Sequence, residues 1–93
     1  AEQLRRHPGL WCDLAYRSDH ASGNGVDGAW RALFEAFPDR FMLGSDTFTP
    51  ERWHFIGPHA RSARQWLATL PPALAEALAW RNAEKLLRAQ APR

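Results

Sequence analysis

The sequence predicts an α/β fold, a parallel βαβ unit followed by further helices, and three observations carry that reading. Residues 10–17 follow a Pro-Gly break and alternate as a strand does, and residues 41–45 are a short apolar run that stops at a carboxylate. Between them Trp30, Leu33, Phe34 and Phe37 recur at i, i+3, i+4 and i+7, the apolar stripe of an amphipathic helix. A connection made of a loop and a whole helix is too long for a hairpin, so it returns the chain parallel to itself.

Each element has its own signals. Residues 1–9 read as the last turns of a helix closing on Pro8 and Gly9. Nothing precedes Ala1 to begin that helix and no Met opens the chain, so an amino-terminal part of the protein is expected upstream. Leu10 to Arg17 is the first strand, and the polar stretch from Ser18 to Gly28, with its three glycines, is the loop at that strand's carboxyl end. Asp27 is placed to cap the next helix and Pro38 to end it. The second strand runs from Phe41 to Ser45 and stops at a carboxylate, Asp46. A second long loop continues to Gly57, with a short helix starting at Thr49-Pro50. Ala63, Trp66, Leu67 and Leu70 make another helical stripe, which Pro71-Pro72 breaks. Leu74, Leu78 and the Leu86-Leu87 pair continue in two helical pieces, with Asn82 as the cap where they meet.

Composition excludes more than it assigns. A content of 45% hydrophobic and 24% charged residues in 93 is ordinary for one soluble globular domain and rules out disorder. Eleven Arg and one Lys are spread from Arg5 to Arg93 and nearly balanced by ten acids, for a formal charge of +2. A nucleic-acid footprint needs clustering on one face, so no nucleic-acid partner is expected. Cys12 permits no internal disulfide and lies within an apolar strand, which makes it a core thiol. No apolar run reaches membrane-spanning length and no signal peptide is visible, so no membrane partner is expected and the predicted location is cytoplasmic.

Strand parity assigns the faces. A parallel sheet covered by helices needs an apolar outward face, and Leu10, Cys12, Leu14 and Tyr16 meet that demand better than Trp11, Asp13, Ala15 and Arg17. In the second strand Phe41, Leu43 and Ser45 then face the helices, leaving Met42, Gly44 and Asp46 inward. Arg17 and Asp46 are expected at the same mouth, on neighbouring strands. The carboxyl ends of strands are where α/β sheets bind their ligands, so Asp46 is the leading candidate for chemistry.

Arg-Phe-Met-Leu-Gly-Ser-Asp-Thr, preceded by Leu-Phe-Glu-Ala-Phe-Pro-Asp, and the late Trp-Arg-Asn-Ala-Glu-Lys-Leu-Leu resemble the carboxyl-terminal part of the amidohydrolase superfamily, in its branch of TIM-barrel metal-dependent hydrolases. The opening His-Pro-Gly-Leu-Trp-Cys-Asp-Leu is similar to that branch's seventh strand. The resemblance implies that the chain is the carboxyl-terminal βαβα part of a (β/α)8 TIM barrel, its last two strands and their helices, all within one domain. It also implies an eighth-strand Asp, which maps onto Asp46, acting as metal ligand and proton acceptor. The other ligands the family uses, a His-x-His on the first strand and a Lys or Glu and two His on middle strands, are not in these residues. The implied cofactor is a divalent metal, zinc, with most ligands outside this chain.

Other candidates surround Asp46. Arg17 is a candidate for holding a substrate carboxylate, because its planar fork matches that group. His20, in the loop at the mouth, is a candidate ligand or substrate contact, the alternative being a solvated loop histidine. Trp53, beside Phe48 and Phe55 in the loop after Asp46, is a candidate lining residue for an apolar pocket. Trp30 and Trp66 fall on apolar stripes and belong to the core, while His54 and His59 are ordinary loop and helix-start residues. Gly44 gives room at the mouth. Asp13, if inward, is buried and needs a partner other than Arg17, which lies roughly 13 Å along the strand.

The implied activity is attack of a metal-bound hydroxide on an amide, ester or lactone carbonyl of a small-molecule substrate. The alternatives are a non-oxidative decarboxylase on the same barrel, for which Arg17 suits an acidic substrate, and a non-catalytic truncated fragment that binds a partner through exposed sheet edges.

Overall fold

A computed structural model describes residues 1–15, 20–22, 25–44 and 50–90, with backbone alone at 22, 52 and 90. In chain order the elements are α1 (Glu2–Arg6), β1 (Cys12–Asp13), β2 (Ala21–Ser22), β3 (Gly25–Val26), α2 (Gly28–Ala36) and β4 (Phe41–Met42). They continue with α3 (Pro50–Trp53), α4 (Ile56–Leu67), α5 (Pro72–Glu76), a π turn (Ala77–Arg81) and α6 (Asn82–Gln90). No helix is long and apolar enough to cross a membrane, among the described residues.

The two predicted strands pair in parallel, β1 beside β4, in the register Cys12↔Phe41 and Asp13↔Met42. Cys12 N–H donates to Arg40 O at 2.7 Å and Leu14 N–H to Met42 O at 2.8 Å. The βαβ reading therefore holds, and α2 starts as expected: the Asp27 carboxylate accepts from Ala29 N–H at 3.1 Å and Trp30 N–H at 3.4 Å. The loop after the first strand differs from expectation. It contains an antiparallel pair, β2 with β3, in the register Ala21↔Val26 and Ser22↔Gly25. Strands of two residues each carry no periodicity to read.

Strand parity also holds. Leu14 and Phe41 are buried, and Cys12 and Leu43 pack against the same core, all on the helix-covered face. The Phe34 ring of α2 lies 5.0 Å from Phe41, edge to face, and 6.3 Å from the stacked ring of Trp66 on α4. Trp30 joins this aromatic group at 5.8 Å from Phe34, so Trp66 is buried in the core and Trp30 packs against it, as predicted. Burying such rings supplies most of the favourable free energy of a small domain.

Below the strands, Arg40 gathers three carbonyls. Its Nε donates to Leu10 O at 2.6 Å, and its Nη2 donates to Leu4 O at 3.0 Å and to His7 O. These include orphan carbonyls at the end of α1, where a cation is favoured. One guanidinium thereby ties the first helix and the entry to β1 onto the entry to β4.

The carboxyl-terminal helices depart from expectation in two ways. The chain runs from Pro72 to Gln90 without a helical break, through a π turn rather than a gap between two pieces. Asn82 is not a cap: its backbone is helical at φ −65 and ψ −43, and its side chain donates rather than accepts. An N-cap side chain accepts from the first-turn amides. Helix α4 also starts earlier than predicted, at Ile56, so Gly57 and Pro58 occupy its first turn. Pro is tolerated there because first-turn amides have no intrahelical acceptor.

Because Arg40 O and Met42 O face β1, the polar groups of Phe41 and Leu43 face the opposite edge of β4. That edge is not bare. Asn82 Nδ2 donates to Phe41 O at 2.8 Å, and Leu43 N–H donates to Leu78 O at 3.2 Å. The expectation of unpaired edges is thus corrected on this side, because the π turn supplies an acceptor and a buried carboxamide supplies a donor.

Candidate active site

The carboxyl end of the strand pair is where ligand chemistry is expected in a parallel sheet. The described residues there are Asp13 at the end of β1 with Ala15 just after it, and Leu43 and Gly44 just after β4. Asp46 and Arg17, the leading catalytic and substrate candidates, lie outside the described residues. The strand ends that lead to them are described, and Gly44 stands two positions before Asp46 in the sequence.

Asp13, Ala15 and Gly44 share the face turned away from the helices. A Cβ built on Gly44 would lie 2.5 Å from Asp13 Oδ1 and 2.9 Å from Ala15 Cβ. Only a residue without a side chain fits there, which refines the reading of Gly44: the space it leaves is taken by the neighbouring strand. Asp13 itself departs from expectation. It is exposed, and its Oδ1 accepts from Ala15 N–H at 2.8 Å, two residues on and past the end of β1. Among the described residues no further strand covers that face, and Asp13 is in contact with water.

On the opposite side His59 approaches the same strand end. Its Nε2 lies 3.1 Å from Gly44 O, within hydrogen-bond distance, and its ring is half-buried. Sequence reasoning placed His59 at a helix start with no role. No local motif could have found the contact, since it depends on how α4 returns across the sheet. Beside it runs an apolar groove of about 370 Å³, lined by Leu43, Gly44, Ile56, His59, Ala60 and Ala63 among others. His54 lies exposed in the turn between α3 and α4.

The remaining candidates separate. His20 is 4% exposed, with its ring 4.9 Å from Trp66 and 6.2 Å from Trp30, both edge to face. It sits in the aromatic core between two helices, which corrects the picture of a solvated loop residue. Its own carbonyl accepts Asp27 N–H at 2.9 Å, one rung beyond the Ala21↔Val26 pair, so the β2–β3 ribbon, which packs against α4, fixes the backbone that carries the ring inward. Trp53 is 59% exposed on α3 and does not line the groove beside Gly44. The structure thus brings His59, Gly44 and Asp13 together and leaves His20 and Trp53 apart from them.

Among the described residues no three His, Cys, Asp or Glu side chains come together in a way that could hold a metal ion. The described part of the chain does not by itself fit a metal site.

Comparison with known proteins gives one match. The family model described as amidohydrolase matches residues 1–89. No curated protein and no solved structure matches the chain.

Proposed function

Since the chain belongs to the amidohydrolase family, with a match over residues 1–89, we propose that it is the carboxyl-terminal part of a hydrolase barrel in which Asp46 is the proton acceptor. Membership supports a hydrolase-type function in general, and the mixed helix and strand architecture is compatible with part of such a domain. The finer reading is hydrolysis of an amide, ester or lactone carbonyl in a small-molecule substrate. The observation that carries it is the parallel pair of β1 and β4, because Asp46 follows the carboxyl end of β4 by four positions in the sequence and that is the end where such sheets bind ligands.

Within this reading the residues divide their tasks. Asp46 takes a proton from the attacking water and returns it to the leaving group, as a positioned carboxylate can. Gly44 lets the two strands come together below it. Arg17, four residues beyond the end of β1 in the sequence, would hold a substrate carboxylate by two parallel hydrogen bonds. A divalent metal such as zinc, when bound, makes water acidic enough to lose a proton near neutral pH. Most of its ligands would lie outside these 93 residues.

The test is Asp46→Asn in the full-length protein, with p-nitrophenyl acetate as ester probe and melting temperature recorded in parallel. The amide keeps the size of the carboxylate but accepts no proton at neutral pH. A positioned general base contributes on the order of 10² to 10⁴ in rate, so kcat should fall by about that factor with Tm little changed. An unchanged kcat in a stable variant would end the assignment. Oxygen from labelled water should enter the product of the natural substrate, which a decarboxylation would not require.

A further inference from the structure

We propose that Asn82, acting with the π turn that precedes it, is a positioning residue for the strand that leads into Asp46. The inference rests on the reading of Asp46 as proton acceptor. It begins with the helix ladder. Asn82 N–H donates to Ala77 O, five residues back. In an unbroken α-helix its acceptor would be Leu78 O, four residues back. Leu78 O instead meets Leu43 N–H at 3.2 Å, on the edge of β4 that β1 does not occupy. A π turn of this kind shifts the helix ladder by one residue, and such turns are frequent at functional sites.

The Asn82 side chain adds a second grip. It is 1% exposed, and its Nδ2 donates to Pro38 O and to Phe41 O, each at 2.8 Å. A carboxamide nitrogen carries two N–H groups, and here both point at backbone acceptors. No isosteric side chain reproduces this: an aspartate would set oxygens against both carbonyls, and leucine offers no donor. Pro38 follows α2 and Phe41 opens β4, so one carboxamide holds both ends of the turn between them.

The contacts climb the strand in order. Asn82 holds Phe41 O, Leu78 holds Leu43 N–H, and His59 lies against Gly44 O. Asp46 is two residues further along the sequence. From the β1 side the strand is already held by Cys12 and Leu14. The grip on the far edge therefore sets the height and tilt of the strand end. A catalytic group displaced by about 1 Å can lose on the order of 10² in rate.

The experiment compares Asn82→Leu and Asn82→Ser with the parent in the full-length protein. The p-nitrophenyl acetate reaction gives kcat and KM, and NMR hydrogen exchange follows the Leu43 and Leu14 amides. For Asn82→Leu we expect kcat per folded molecule to fall by about 10- to 100-fold with KM nearly unchanged. Leu43 exchange should accelerate at least about tenfold relative to Leu14, since the far edge loosens while the β1 side holds. Asn82→Ser, whose hydroxyl is too short to reach either carbonyl, removes the same grip without leucine's bulk, and it carries the test if the leucine variant does not fold. Equal acceleration of both amides with kcat unchanged would reduce Asn82 to general stability and overturn the proposal. Asp46→Asn run alongside separates the two readings. If it is inactive while both Asn82 variants keep full kcat, the positioning role alone fails; if it is fully active, the role of Asp46 fails and this inference goes with it.

Discussion

Gly44 lies directly against Asp13: a Cβ on the glycine would stand 2.5 Å from the aspartate Oδ1 and 2.9 Å from Ala15 Cβ. The carboxylate could swing aside at the expense of its bond to Ala15 N–H, but the Ala15 Cβ is fixed to the backbone just beyond β1 and moves only with it. Gly44→Ala should therefore destabilise the fold by about 1–3 kcal/mol, the usual range for overpacking. Gly28 is the control. Nothing lies within 4 Å of a Cβ there, it opens α2, and Gly28→Ala should stabilise by about 0.4–1 kcal/mol. Urea unfolding of both variants checks the pair, and opposite signs are expected.

Asp27 caps α2 through two backbone amides, so Asp27→Ala should cost about 1 kcal/mol. Asp27→Ser should recover most of it, because a hydroxyl oxygen can accept the same bonds. The midpoint of urea unfolding, with unchanged slope, is the measurement.

Arg40 serves three carbonyls from α1 and the approach to β1. Arg40→Lys keeps the charge but replaces a forked donor by a single ammonium that cannot reach all three. A loss of about 1–3 kcal/mol is expected, from charged hydrogen bonds that go unmade. Exchange of the His7 amide, which closes α1, should accelerate more than that of Trp30 in α2. Equal acceleration would show that Arg40 does not hold α1 in particular.

The 93 residues on their own should bind no zinc tightly. A zinc site needs four ligands, and no group of three lies together among the described residues. Calorimetric titration of the isolated chain checks this, and stoichiometric submicromolar binding would contradict it.

On the proposed barrel reading, the DNA upstream of Ala1 should encode a His-x-His after an apolar strand and two further strand-end histidines. Reading that frame is the simplest check. A stop codon or an unrelated domain in that place would remove the hydrolase reading of this chain.

Much of the framework was legible in the residues themselves. The Trp30-Leu33-Phe34-Phe37 stripe, the Asp27 cap and the parallel relation of the two strands need only local periodicity and the length of a connection. The alternation of Cys12 and Leu14 against Asp13 named the buried face correctly, because a strand's two faces differ by parity alone. Proline at the start of α3 and the Pro71-Pro72 break were equally local signals.

What tertiary structure decided has a different character. His20 looked like a loop residue, and only the packing of the β2–β3 ribbon against α4 puts its ring beside Trp30 and Trp66. Asn82 looked like a cap, because caps and buried anchors use the same residue type; its acceptors, Pro38 O and Phe41 O, are 44 and 41 residues away in sequence. His59 meets Gly44 O across 15 residues for the same reason. Apolar periodicity reports which face is buried, since burial acts on whole faces. The partner of a single polar atom depends on where distant backbone arrives, and no local pattern in the sequence encodes that.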